Sequence, residues 1–197
     1  MKKENIRVIS DFLPEEDYLY LRNFVENTDK WEKSDSKLWD KRSVNLHSIF
    51  SDKKTLEFML KLHDLTKKEI VENLNPEKNI RPELMQFQRT FETAQDQPPH
   101  SDSTGNNGEE NGTSSRKFSS LLYLNDQFSG GNLWFPNQEI EVIPKPNTLV
   151  VFPATFDYLH GVKQVTSGIR YSILEFWTYE EQRTHVETIL GTVVKNG

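Results

Sequence analysis

Cysteine is absent from all 197 residues, which excludes disulfides, thiolate nucleophiles, iron–sulfur clusters and cysteine-ligated zinc. Any metal this chain holds must be bound through His, Asp or Glu. Long apolar runs are missing too: none approaches the roughly 20 residues a membrane-spanning helix needs. The opening MKKENIRVISDFLP turns acidic and polar before an apolar stretch can develop, unlike a secretory signal. Nor is there an excess of positive charge, with 24 Lys and Arg against 30 Asp and Glu and a formal net charge of −6. Such a balance gives no general attraction to phosphate backbones or anionic membranes. Together these absences predict a soluble, cytoplasmic protein without a membrane partner, and they argue against a nucleic-acid partner.

The length suits one domain over residues 1–197, large enough to bury a core without metal or disulfide staples. Its first part, 1–80, reads as mainly helical support. Tyr18, Leu21, Phe24 and Val25 recur at helical spacing after the acidic pair Glu15 and Glu16, which predicts a surface helix over about 14–27. A longer periodic stretch, about 51–74, carries Leu56, Met59, Leu60, His63, Ile70 and Leu74 and is suited to covering a sheet. From 81 to 180 the pattern changes to short runs bounded by Pro, Gly and Asn. Segments 84–91, 118–125, 131–135, 139–143, 148–152 and 169–177 read as strands of an antiparallel sandwich or barrel. The terminal VETILGTVV is a candidate last strand or docked arm.

Between about 92 and 117 the chain is rich in Gly, Asn, Ser and acid and nearly free of apolar side chains. A loop of that length inside a compact domain is usually functional or disordered. It holds the best metal ligands in the sequence, His100 and Asp102. One residue apart, they share a face wherever the backbone is extended, and the prolines before His100 favour that geometry. A remote histidine would complete a two-His, one-carboxylate set with open positions, the arrangement of non-haem Fe(II) oxygenases. His160, after TLVVFPATFDYL, is the candidate. His47 and His63 read as packing or surface residues, and His185 carries no signal.

Arg170 opens the strand RYSILEFW and shares a face with Ser172, Leu174 and Phe176 by the two-residue period. A guanidinium on an apolar sheet face needs an anionic partner. A dicarboxylate ligand, gripped by the guanidinium fork with Ser172 adding a hydroxyl, is one such partner. An internal salt bridge is the competing account.

In order, HSD (100–102), FSSLLYLND (118–126), GGNLWFP (130–136), PNTLVVFP (146–153) and HGVKQVTSGIRYSILEFW (160–177) resemble the catalytic half of the prolyl 4-hydroxylase-like 2-oxoglutarate and Fe(II)-dependent dioxygenases, over about residues 84–178. The resemblance implies a mainly β fold with flanking α-helices, the double-stranded β-helix or cupin-like jelly roll. It makes His100, Asp102 and His160 the iron ligands. Arg170 would hold the distal carboxylate of 2-oxoglutarate, assisted by Tyr123, with Ser172 as a further contact, and Gly130 and Gly131 would allow a close approach between strands. Cofactor and cosubstrates would be Fe(II), 2-oxoglutarate and dioxygen, with ascorbate as reductant. The implied reaction couples oxidative decarboxylation of 2-oxoglutarate to hydroxylation of a prolyl or other aminoacyl residue of a peptide or protein. The same chemistry on a free amino acid, small molecule or nucleobase is an alternative, and a non-catalytic cupin-like binding module is one of another class. One departure concerns a tyrosine that many members carry before the iron-binding loop. This chain offers QRTF there, so Phe91 would supply the ring without the hydroxyl.

Overall fold

The computed structural model describes residues 5–33, 42–49, 51–92, 96–105 and 107–181. Helix α1 (Glu15–Asn27) starts after Pro14 with Glu15, Glu16 and Asp17 in its first turn, where carboxylates oppose the helix dipole favourably. Helix α2 (Lys53–Leu74) is capped by Asp52, whose carboxylate accepts from the Thr55 amide at 3.1 Å, and it ends in the left-handed residue Asn75. Leu56, Met59, Leu62 and Ile70 form the buried stripe of α2, and Leu21 and Val25 that of α1.

The strands are β1 (Arg7–Ile9), β2 (Ser43–Asn45), β3 (Ile80–Phe91), β4 (Gln97–His100), β5 (Phe118–Tyr123), β6 (Phe128–Gly130), β7 (Leu133–Phe135), β8 (Ile140–Val142), β9 (Thr148–Pro153), β10 (His160–Val162) and β11 (Val165–Tyr179). They form a larger sheet in the order β1-β9-β5-β11-β3-β2, with β6 also paired to β11, and a smaller one in the order β4-β10-β7-β8. Every pairing is antiparallel. With the helices flanking the larger sheet, this is the expected double-stranded β-helix.

Each central strand divides its side chains between two cores. Leu122, Leu149, Val151, Ile173 and Trp177 pack toward the helices, whereas Leu121, Tyr123, Val150 and Phe152 join Leu133 and Phe135 in the second cluster, between the sheets. One irregularity adjusts this alternation. Phe176 pairs with Leu84 but Trp177 pairs with Pro82, so Glu83 is the extra residue of a bulge. That slip lets Ile80 and Met85, five positions apart, both enter the helix-side core, and it explains how a proline is accommodated inside a long strand.

The short strands β1, β2, β6 and β10 were not expected, because three residues offer no window in which alternation can be read. Two of them, β1 and β2, bring the N-terminal part into the larger sheet. The tail segment VETILGTVV and His185 lie outside the described residues, as does the side chain of His47.

Candidate active site

Neighbouring strands of the smaller sheet deliver the two histidines. His160 opens β10 and pairs in register with His100, the last residue of β4, so directly opposed side chains bring the ring centroids to 4.6 Å. Asp102 does not continue β4 as the extended reading required. It lies in a bend, which is anchored where Ser101 Oγ donates to Ala154 O at 2.9 Å and the Ser103 amide donates to the same carbonyl at 3.1 Å. The bend turns Asp102 inward: its Oδ1 is 3.7 Å from His100 Nε2 and its Oδ2 3.3 Å from His160 Nε2. One donor atom from each of the three residues lies within 4.8 Å of the others.

Both rings are oriented through their outer nitrogens. His100 Nδ1 lies 3.0 Å from Pro98 O and His160 Nδ1 lies 3.2 Å from Tyr158 O. A proton on each Nδ1 serves the carbonyl and leaves the Nε2 lone pair for a metal. Burial pushes His160 below the usual imidazole range, opposed by the Asp102 carboxylate and reinforced by His100. The imidazole is therefore neutral at neutral pH, the form that ligates. The donor set, two nitrogens and one carboxylate with no thiolate, fits Fe(II) among divalent metals.

Beside the triad lies a cavity of about 750 Å³. At its inner end Arg170 is 4 % exposed, with Nη1 donating to Gly131 O at 2.8 Å and Nη2 to Thr90 Oγ1 at 3.4 Å. Gly131 has φ +68°, and an added Cβ there would press on Arg170 Cδ at 3.1 Å. At Gly130, φ +75°, an added Cβ would meet Gln164 O at 2.1 Å. The glycine pair thus permits the close approach that seats the arginine. No carboxylate of the described residues forms an ion pair with Arg170, so the internal salt bridge is not what holds it.

Three buried polar atoms around this point have no hydrogen-bond partner: Arg170 Nε, Tyr123 Oη and Ser172 Oγ. Unmet buried donors are costly, and an anionic ligand would satisfy them. Burial holds Tyr123 up to about 12, so its hydroxyl stays a neutral donor. Burial pulls Arg170 below the usual guanidinium range, opposed by Tyr123. The residues present therefore fit a dicarboxylate such as 2-oxoglutarate.

The structure does not place Phe91 at the site. Leu84, Gln86, Gln88, Arg89 and Thr90 of β3 line the cavity while Phe91 does not, its ring lying instead 4.9 Å from the Arg89 guanidinium. Thr90 supplies a hydroxyl at that end, a role visible only once the register with β11, Arg170 opposite Thr90, is known. Of the loop and of the 42–51 segment, Arg42, Ser43, Asp96, Thr113 and Arg116 reach the cavity wall. Phe135 belongs to the inter-sheet core, and Trp134 is partly exposed, packed over Gly161. His63 packs as expected, stacked on Trp177 at 4.5 Å.

A jelly roll carrying a His-Asp-His set beside a cradle for a dicarboxylate defines a class of oxygenase, and residues 85–179 of the chain match the family description of the 2OG-Fe(II) oxygenase superfamily. Prolyl 3-hydroxylase 3 from Homo sapiens is 38% identical over 79 residues and prolyl 3-hydroxylase 2 from the same species 32% identical over 79, each match covering 38% of this chain. The chain spans about a tenth of the length of these curated relatives, 11% in both cases. Among solved structures, the viral collagen prolyl hydroxylase of Paramecium Bursaria Chlorella virus-1 superposes with a TM-score of 0.68 at 16% identity, over 89% of this chain and 90% of that one. A prolyl hydroxylase from Trichoplax adhaerens, in complex with a hypoxia inducible factor peptide fragment, gives 0.68 at 18% identity, over 91% and 86%. EctD from S. alaskensis, solved with bound Fe, gives 0.65 at 12% identity, over 93% and 75%.

Proposed function

We propose that this protein couples oxidative decarboxylation of 2-oxoglutarate to hydroxylation of a C–H bond on a prolyl or other aminoacyl residue of a peptide or protein. One observation carries the reading: Arg170, with an unmet buried Nε, lines the same cavity as the triad, and the unmet hydroxyls of Tyr123 and Ser172, cross-strand partners, lie next to it. His100, Asp102 and His160 would hold Fe(II), which when bound activates dioxygen at the positions the three residues leave open. Arg170 binds and orients the distal carboxylate of 2-oxoglutarate, with Tyr123 and Ser172 as neutral donors. Leu121, Leu133, Phe152 and Leu174 make that end of the cavity apolar, which excludes water from the cosubstrate. Asp102 acts as a ligand and not as a general base.

The peptide substrate is supported by the prolyl hydroxylases that share sequence or fold with this chain. Leu84, Gln86 and Gln88 on β3 line the cavity wall together with Thr113 and Arg116 from the loop. Of the basic residues that reach the cavity, Arg116 is engaged by Glu83 at 2.7 Å and Lys163 by Glu141 at 2.6 Å, while the Arg89 guanidinium lies over the rings of Trp31 and Phe91 and Arg42 also lines the wall.

The test is an anaerobic titration of metal-free protein with Fe(II) and 2-oxoglutarate, reading the visible charge-transfer band of the chelated complex, in wild type, His100→Ala and Arg170→Ala. The band is expected to vanish in the first variant and to require far more 2-oxoglutarate in the second. A panel of proline-containing peptides, read by succinate release and product mass, then tests the substrate class. Absence of the band in folded, iron-bound wild type would overturn the oxoglutarate assignment and favour a binding module.

A further inference from the structure

Two of the three metal-binding candidates are oriented by backbone carbonyls through their Nδ1 atoms. The third, Asp102, has no such tie: its backbone lies in a bend outside the sheet ladder, and the Cβ–Cγ torsion of an aspartate is intrinsically loose. What holds it is a side chain from the opposite sheet. Ser119 Oγ donates to Asp102 Oδ2 at 2.6 Å, with Ser119 fully buried and Asp102 8 % exposed. Short hydrogen bonds from a hydroxyl to an ionised carboxylate are among the strong ones.

The position of Ser119 says more than the distance does. On β5 it shares the inward face with Leu121 and Tyr123, and its partners across the sheet are Phe152 on β9 and Phe176 on β11. Packing alone would favour an apolar residue between two phenylalanines, and a buried hydroxyl there is costly unless it is hydrogen-bonded. Its hydrogen bond is to Asp102. The next residue, Ser120, points the other way and donates to Glu175 at 3.2 Å, so the two serines of FSSLLY serve opposite faces of the sheet.

We propose that Ser119 is a positioning residue for the metal centre, its hydroxyl fixing the rotation of the Asp102 carboxylate so that the remaining oxygen lone pairs meet the ion. The inference rests on the metal-site reading above. Without the serine hydroxyl the Cβ–Cγ torsion of Asp102 is no longer fixed, and the carboxylate samples rotations in which neither oxygen points at the position the two Nε2 atoms share. Partners of this kind typically contribute about 10- to 100-fold to metal affinity.

Because replacing a fully buried serine also changes packing, the informative pair is Ser119→Thr and Ser119→Val, which have the same shape and differ in the hydroxyl. Metal-free protein is titrated anaerobically with Co(II), reading the visible d–d absorption, and then with Fe(II) in the presence of 2-oxoglutarate, alongside thermal midpoints without metal. Ser119→Thr is expected to bind both metals within a few-fold of wild type, and Ser119→Val to bind them about 10- to 100-fold more weakly. The Co(II) spectrum of Ser119→Val should also shift from that of Ser119→Thr. Equal affinities and spectra for the two variants, whether both tight or both weak, would overturn the role of Ser119 while leaving the triad standing. Failure of wild type to bind either metal would overturn the site itself and this role with it.

Discussion

The larger sheet carries a buried polar cluster on each of its faces, and the two are built on opposite logic. Toward the helices, Glu175 is 1 % exposed, accepts from Ser120 Oγ at 3.2 Å and lies 3.8 Å from His63 Nδ1. Trp177 Nε1 donates to the same serine at 3.2 Å and its ring stacks on His63. Glu175 Oε1 and His63 Nδ1 make no hydrogen bond, but these two unmet atoms face one another inside the fold and not a cavity. On the other face Arg170, Tyr123 and Ser172 are just as buried and also present atoms without a partner, and there Arg170 lines a cavity. Burial of a charge therefore does not distinguish structure from function here. The distinction lies in what the unmet group faces, another titratable group of the fold or an adjoining cavity that a ligand can enter.

The largest effect expected from breaking this contrast is at the triad. Asp102→Ala should lower Fe(II)-dependent turnover of 2-oxoglutarate by more than about 100-fold, measured as succinate release. On the helix side, Glu175→Ala removes the acceptor of the buried Ser120 hydroxyl and should cost about 1–3 kcal/mol of stability, measured by urea unfolding. The folded protein should still bind 2-oxoglutarate with wild-type affinity, and a loss of affinity would show that the two faces are coupled.

Arg170→Met gives the opposite pattern. It should weaken 2-oxoglutarate binding by about 2–4 kcal/mol, the cost of truncating one partner of a buried charge pair, checked by calorimetry. Without ligand the same variant should be as stable as wild type or more so, since it removes an unpaired buried charge, and saturating 2-oxoglutarate should reverse the ranking in thermal midpoint. Smallest of all, Tyr123→Phe should weaken 2-oxoglutarate by about 1 kcal/mol without destabilising the unliganded fold, because its hydroxyl satisfies nothing in the absence of ligand.

How much of this was legible depended on whether the signal was local. Both helices were readable because amphipathic periodicity accumulates over 13 and 22 residues. Arg170 announced itself as a charge on an apolar strand face, and His100, Asp102 and His160 stood out among few histidines. Ser119 carried no such signal: in FSSLLY a serine reads as an ordinary strand residue until Asp102 is brought against it. Phe91 was misjudged because the family pattern marks a position, whereas the pleat decides which of two adjacent residues faces inward. A one-residue difference in register exchanged Phe91 for Thr90.

The sequence by itself determined the chemical repertoire: no thiols, a His-x-Asp pair, one distant histidine and one misplaced arginine, together with the β-rich order of segments in which they occur. Those are properties of residue type and local spacing, which survive without knowledge of contacts. Only the tertiary structure decided that His100 and His160 are opposed across neighbouring strands, that a bend and not a strand delivers Asp102, that Gly131 and Thr90 seat Arg170, and that Ser119 and Ser120 serve different faces. Each depends on pairing between segments far apart in the chain, where register and the alternation of the pleat, and not composition, choose the partner.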